Sequence, residues 1–223
     1  MPPHVTRIDL PRPDLPAYLT ASPDEPIGCH LIDGDERVLF GTGYAFSAAQ
    51  LLDALDDYGG VDVVVVEHDD TDHYGALPQV VERYDPTVVV PRDDRAFLQR
   101  AYDLAADRLL DDGDAVAGFR ALTVRGHTYG NMAFVDEDRG LLVAGDTVVG
   151  SDSDIAADGR WSGPLAPPAA RFNRDDERAR SSLVALADLA VEDVLLTHGA
   201  DLTGGGADAV DRLLGDLGLH WER

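Results

Sequence analysis

Short apolar runs alternate with amphipathic stretches along most of the chain. Ile27 to Ile32 and Arg37 to Phe40 flank Asp33-Gly34-Asp35, the pattern of a hairpin. From Ser47 to Tyr58, Ala48, Leu51, Leu52 and Leu55 recur at helical spacing, with Ser47 at the N-cap position. Val61 to Val66 is an apolar β-branched run, the composition of a strand buried on both faces, and it ends at Glu67-His68. A helix is predicted over Gly75 to Tyr84, a second buried strand over Thr87 to Val90, closed by Pro91, and a helix over Arg95 to Leu110, followed by an acidic turn at Asp111 to Asp114. Phe119 to Val124, Met132 to Val135, Leu141 to Val143 and Val194 to Leu196 read as strands. Ser181 to Leu189 and Asp208 to Leu217 read as helices. The proline-rich first 26 residues read as an extended lead-in strand with loops, and residues 150–176 as a long loop, a candidate lid.

Strands and helices alternate, yet several strands come in hairpins. That mixture predicts a layered α/β or α+β sandwich rather than a doubly wound parallel sheet. At 223 residues, a single domain over residues 1–223 is expected.

Charge changes the picture more than any other compositional feature. The formal net charge is −24, lysine is absent, and all 18 basic residues are arginine. Of the acidic residues, 34 are aspartate and 8 are glutamate. A dense, hydrated carboxylate coat suits a salt-rich cytoplasm, where screening suppresses self-repulsion, so a halophilic source is expected. The same coat argues against nucleic acid as a partner, which calls for a basic stripe. Cys29 is the sole cysteine, so neither an intrachain disulfide nor a cysteine metal site is expected. The N-terminal residues lack the charged and apolar regions of a signal peptide, and no apolar run approaches the ~18 residues of a membrane span. A cytoplasmic protein with no membrane partner is expected.

Candidate chemistry gathers where apolar strands end. The runs are Glu67-His68-Asp69-Asp70-Thr71-Asp72-His73-Tyr74-Gly75, Arg125-Gly126-His127-Thr128-Tyr129-Gly130-Asn131, Ala144-Gly145-Asp146-Thr147 and Thr197-His198-Gly199. Functional groups on glycine-flanked turns at one end of a sheet are a usual way to build a site. Aspartate is so common here that its presence at any position is cheap evidence. Histidine, at 7 of 223 residues, is not, and the four histidines carry the inference.

These residues resemble the metallo-β-lactamase superfamily, whose first motif reads His-x-His-x-Asp-His and here reads His68-x-Asp70-x-Asp72-His73. Gly126 to Gly130, Gly145-Asp146 and His198-Gly199 match its later motifs in order, and Gly41-Thr42-Gly43 stands where the family usually has Asp-Thr-Gly. The resemblance covers nearly the whole chain. It implies a four-layer αββα sandwich. It also implies one or two divalent metal ions, zinc first with iron or manganese as alternatives. His68, Asp70 and His127 would hold one ion, Asp72, His73 and His198 the other, and Asp146 would bridge them, with Asp72 taking part in catalysis. Two cations ~3.5–4 Å apart can clamp an oxygen substrate and lower the pKa of water towards ~7. Asp70 replaces the family's second histidine with a harder, anionic ligand. Gly41 removes a carboxylate expected beside the site. Asp69 reads as part of the solvated acidic coat.

Cys29 and His30 read as a buried thiol and imidazole in a core strand, and His4 and His220 as surface residues. Tyr44, Tyr74 and Tyr129 border the proposed site, and Trp161 and Phe172 read as anchors of the long loop. The leading functional expectation is an enzyme that hydrolyses an ester, thioester or lactone of small size through a metal-activated water, similar to glyoxalase II-like hydrolases. The alternatives are an iron-dependent oxidoreductase or dioxygenase on the same scaffold, and a metal-binding homologue without turnover. Flavodiiron proteins also carry a carboxylate in the first motif, but with a flavodoxin domain that has no counterpart in this sequence.

The acidic, lysine-free composition predicts that the melting temperature, followed by circular dichroism, rises from dilute buffer to molar salt. An unchanged melting temperature across that series would remove the halophile reading.

Overall fold

The computed structural model describes residues 4–13 and 25–219, so His220 lies outside the described residues. The chain divides into two compact units, Met1–Asp111 and Asp112–Arg223.

The first unit is a six-stranded sheet in the order β1-β2-β3-β4-β5-β6. Its strands are β1 (His4–Leu10), β2 (Ile27–Asp33), β3 (Val38–Phe40), β4 (Val63–Val65), β5 (Thr87–Pro91) and β6 (Arg108–Leu110). The first three pair antiparallel, and the hairpin between β2 and β3 follows from the polar Asp33-Gly34-Asp35 turn. From β3 onwards the pairing is parallel, as it must be when helices carry the chain back across the sheet. Those helices are α1 (Ala48–Asp57), α2 (Thr71–Tyr74), α3 (Leu77–Tyr84) and α4 (Ala96–Tyr102). Leu51 and Leu55 of α1, Leu77 and Val80 of α3 and Phe97 of α4 pack with Leu39, Val64 and Val88 in one apolar core. All three residues of β4 are buried, as its uniform valine composition requires.

The second unit holds a five-stranded sheet in the order β13-β10-β9-β8-β7 and a separate two-stranded pair of β11 and β12. The strands are β7 (Ala115–Val116), β8 (Phe119–Thr123), β9 (Met132–Asp136), β10 (Leu141–Val143), β11 (Val149–Gly150), β12 (Leu165–Ala166) and β13 (Asp193–Leu195). Helices α5 (Asp176–Ser182) and α6 (Gly206–Asp216) belong to this unit. Leu213 and Leu214 of α6 join Leu142, Val194 and Leu165 in its core.

Four expectations are corrected. The helix expected over 95–110 stops at Tyr102, because Asp103 adopts a left-handed conformation (φ 55°), and the chain continues into β6. There Asp107 anchors the edge, its carboxylate accepting from the Val88 N–H at 2.8 Å. The helix expected over Gly75 to Tyr84 begins at Leu77, with Pro78 in its first turn, and the separate four-residue helix α2 precedes it over Thr71–Tyr74. Residues 150–176 are no bare loop, since β12 is buried and paired with β11. Ser47 does stand at the N-cap of α1, but its hydroxyl donates to the Tyr44 carbonyl at 2.7 Å instead of capping, because a 3₁₀ turn over Ala45–Ser47 precedes the helix. No helix among the described residues is long and apolar enough to cross a membrane.

Candidate metal centre

In the first unit β3 and β4 are parallel, so Gly41-Thr42 and Glu67-His68 emerge at the same edge of the sheet. His68 follows β4, and the short helix α2 then presents Asp72 and His73. Both histidines are fully buried, with ring centroids 4.0 Å apart. Asp70 occupies the N-cap position of α2, where an aspartate ordinarily accepts a hydrogen bond from the first turn. It makes no such cap. Its Oδ2 lies 3.5 Å from His68 Nε2 instead, with the side chain 40 % exposed. His68 and Asp70 thus offer ligand atoms within 4.8 Å of each other, as do Asp72 and His73.

Two neighbours hold His73. Its carbonyl accepts from the Thr42 N–H at 2.7 Å and from the Thr42 hydroxyl at 3.1 Å. Its Nδ1 lies 3.1 Å from Glu67 Oε2. A carboxylate accepts, so Nδ1 carries the proton and Nε2 keeps the lone pair that a metal would take.

In the second unit β9 is antiparallel to both β8 and β10, and β13 is parallel to β10. Hence β8, β10 and β13 run in one direction, and the segments after them deliver His127, Asp146 and His198 to one end of the sheet. All three are buried. Asp146 Oδ2 lies 3.4 Å from His127 Nε2, and its Oδ1 lies 3.5 Å from His198 Nε2. These separations are long for hydrogen bonds, whose N···O distances run about 2.7–3.2 Å. They match the edge of a tetrahedron with metal–ligand bonds of about 2.0–2.1 Å, which is about 3.3–3.4 Å. The His68–Asp70 separation is of the same size. The donor set therefore fits divalent metal.

The His127 loop is strapped to the start of α5. His127 Nδ1 donates to Asn173 Oδ1 at 3.1 Å, and the Asn173 amide is oriented by its own donation to Asp176 Oδ1 at 2.7 Å. The Arg174 and Asp175 N–H groups bond the carbonyls of His127 and Gly126 at 3.1 and 2.9 Å. Asp175 then caps α5 by accepting from the Arg178 N–H at 3.0 Å.

Several residues differ from expectation. Asp69 is not part of the solvated coat: its side chain is 5 % exposed and lies 3.5 Å from the Arg100 guanidinium of α4. The carboxylate expected to be missing at Gly41 is present on Glu67, since a Cβ at Gly41 would stand 3.7 Å from both Glu67 oxygens. Tyr74 belongs to the core, its ring 4.4 Å from that of Phe97 and 5.7 Å from that of Tyr102. Tyr44 stacks on Phe46. Tyr129 is 68 % exposed, with the Arg174 guanidinium 5.2 Å from its ring. Cys29 and His30 are buried as expected, and burial, with the Glu67 carboxylate second, pushes the Cys29 thiol up, so it stays protonated. Glu67 and Asn173 were missed in the sequence. Glu67 had a signal, an acid ending an otherwise apolar strand, whereas nothing marks Asn173 within its loop.

Comparison with known proteins bears on this geometry directly. Residues 23–198 match the family model of the Metallo-beta-lactamase superfamily. The chain belongs to that superfamily. It is 28 % identical over 214 residues to the "Probable metallo-hydrolase YflN" of Bacillus subtilis, covering 84 % of this chain and 81 % of that one. The metallo-β-lactamase FIM-1 of Pseudomonas aeruginosa, in its mono-zinc form, shares the fold at a TM-score of 0.68 and 14 % identity, over 97 % of this chain and 90 % of that one. A flavo di-iron protein from Thermotoga maritima superposes at a TM-score of 0.69 and 17 % identity, over 96 % of this chain. The present chain spans 58 % of its length. The mixed α/β fold is thus that of this superfamily.

Gly126 links this fold to the candidate centre. Its φ is +127°, and a Cβ there would lie 2.0 Å from the Ala179 nitrogen of α5. Gly126→Ala is expected to cost about 3 kcal/mol or more, because backbone must move as well as adopt a strained angle. Gly113→Ala, with φ +80° and open space around it, is expected to cost only the left-handed penalty of about 1–2 kcal/mol. Urea midpoints in molar salt check the pair; equal losses would refute the close-packing argument.

Proposed function

We propose that this protein is a metal-dependent hydrolase of small esters, thioesters or lactones. In this reading, carried over from the superfamily's motifs, His68, Asp70 and His127 would hold one ion, Asp72, His73 and His198 the other, and Asp146 would bridge them. The observation that carries the dinuclear reading is Asp146, whose two oxygens each face a different histidine, as a bridging carboxylate would. When bound, such ions supply Lewis acidity and bring the pKa of a water towards about 7. Zinc is the first choice of metal for this imidazole and carboxylate set, with iron or manganese as alternatives.

The chain's own residues do the positioning. Asn173 and Glu67 fix the tautomers of His127 and His73, so that each directs Nε2 outwards as a neutral donor. Asp72, half-buried beside His73 in the first turn of α2, is the carboxylate assigned to catalysis. The similarity to a probable metallo-hydrolase over most of both chains supports hydrolysis. The acidic, lysine-free surface supports a salt-rich cytoplasm as the setting.

One observation favours a second reading, an iron-dependent oxidoreductase. Asp70 forgoes its helix cap to face His68, and an oxygen ligand there suits iron or manganese better than a third imidazole would. Metal analysis separates the two: colourless zinc supports the hydrolase, redox-active iron the oxidoreductase.

His127→Ala and His198→Ala are each expected to lower bound metal by up to one equivalent and to abolish turnover on a panel of activated esters, thioesters and lactones. If both variants keep wild-type metal content, the centre is wrongly assigned. If both lose metal but no panel substrate is hydrolysed by the wild type, the metal reading stands and hydrolysis fails.

Asp70→His is expected to shift selectivity towards zinc over manganese, and Asp70→Ala to weaken one ion. Three identical metal profiles, measured in matched salt, would show that Asp70 does not touch metal.

A further inference from the structure

Glu67 directly precedes His68, and its side chain is 2 % exposed. Its Oε2 accepts from His73 Nδ1 at 3.1 Å. Both its oxygens stand over Gly41, 3.7 Å from where a Cβ would be, in the space that any longer side chain at residue 41 would enter. Gly41 itself is fixed, its N–H donating to the Val65 carbonyl at 3.0 Å with φ at +70°. His73 is therefore gripped twice, through its main chain by Thr42 and through its ring by Glu67. A carboxylate taken out of water is costly, and an imidazole donor alone compensates it poorly. An imidazole whose far nitrogen holds a cation compensates it well.

We infer that Glu67 is a positioning residue for the metal ion that His73 serves, lying in the space that a side chain longer than Cβ at residue 41 would enter. The inference rests on the reading of His73 as a ligand. Glu67 holds the ring with its proton on Nδ1, aims Nε2, and raises the basicity of that nitrogen. It brings negative charge to the ion without occupying a coordination position. The carboxylate reaches the His73 ring from just beyond β4, while Thr42 holds the His73 main chain.

The test is zinc binding to the full chain in molar salt, by competition with a chromophoric chelator, for wild type, Glu67→Gln, Glu67→Ala and His73→Ala. His73→Ala is expected to lose one ion. Glu67→Gln keeps the volume and an acceptor oxygen but not the charge, and is expected to weaken that same ion about 10-fold, with Glu67→Ala reaching about 100-fold. The other ion should bind as in wild type, and the melting temperature of metal-free Glu67→Gln should not fall below the wild-type value. If Glu67→Ala fails to fold, the isosteric Glu67→Gln decides alone. Wild-type affinity for both ions in Glu67→Gln, or equal weakening of both, would overturn the inference. If His73→Ala still binds two ions, the ligand reading fails with it.

Discussion

A carboxylate withdrawn from water has to be met by positive charge or by several donors, and the candidate centre is organised by that requirement. Asp146 and Glu67 are buried beside imidazoles, Asp146 between His127 and His198 and Glu67 against His73. Leaving such anions uncompensated would cost several kcal/mol each. Arginine does pair with carboxylates elsewhere, at the surface in Arg92–Asp111, Arg120–Glu137 and Arg180–Asp176 and with buried acids in Arg12–Glu25 and Arg100–Asp69. A divalent cation held by these histidines would bring positive charge to both buried acids. The same acids that make the chain so negative therefore become, once buried among histidines, the reason to hold metal.

Chain direction delivers those groups. Strand pairing alone sends β8, β10 and β13 the same way, so His127, Asp146 and His198 arrive at one sheet end although 71 residues separate the first from the last. In the first unit, parallel β3 and β4 bring Thr42 and Glu67 to one edge, and the four-residue helix α2 then turns His73 back towards both. Short segments between the strand ends and these side chains leave little slack in where the side chains can go.

What could be read from the sequence follows from this. Strands such as Val63–Val65 and Leu141–Val143 were legible because burial on both faces demands uninterrupted apolar residues. The gathering of histidines after strand ends was legible because histidine is rare in this chain. Aspartates were not, because composition makes them ambiguous: Asp69 looked solvated and is buried against Arg100. Local turns were equally hidden. Asp103 ends α4 through a left-handed backbone angle that its identity permits but does not dictate. Asn173 meets His127 across 46 residues, a tertiary contact with no local trace.

The exposed Tyr129 ring under the Arg174 guanidinium gives the segment beside His127 a cationic, aromatic face on a chain of charge −24. For an approaching anion the two fields act over different ranges. Repulsion from the whole coat extends about 30 Å at 0.01 M salt but only about 3 Å at 1 M. A guanidinium reached by contact is screened far less. Salt would thus remove the long-range barrier before the short-range attraction, so any anion drawn to this face would be captured faster, not slower, as ionic strength rises.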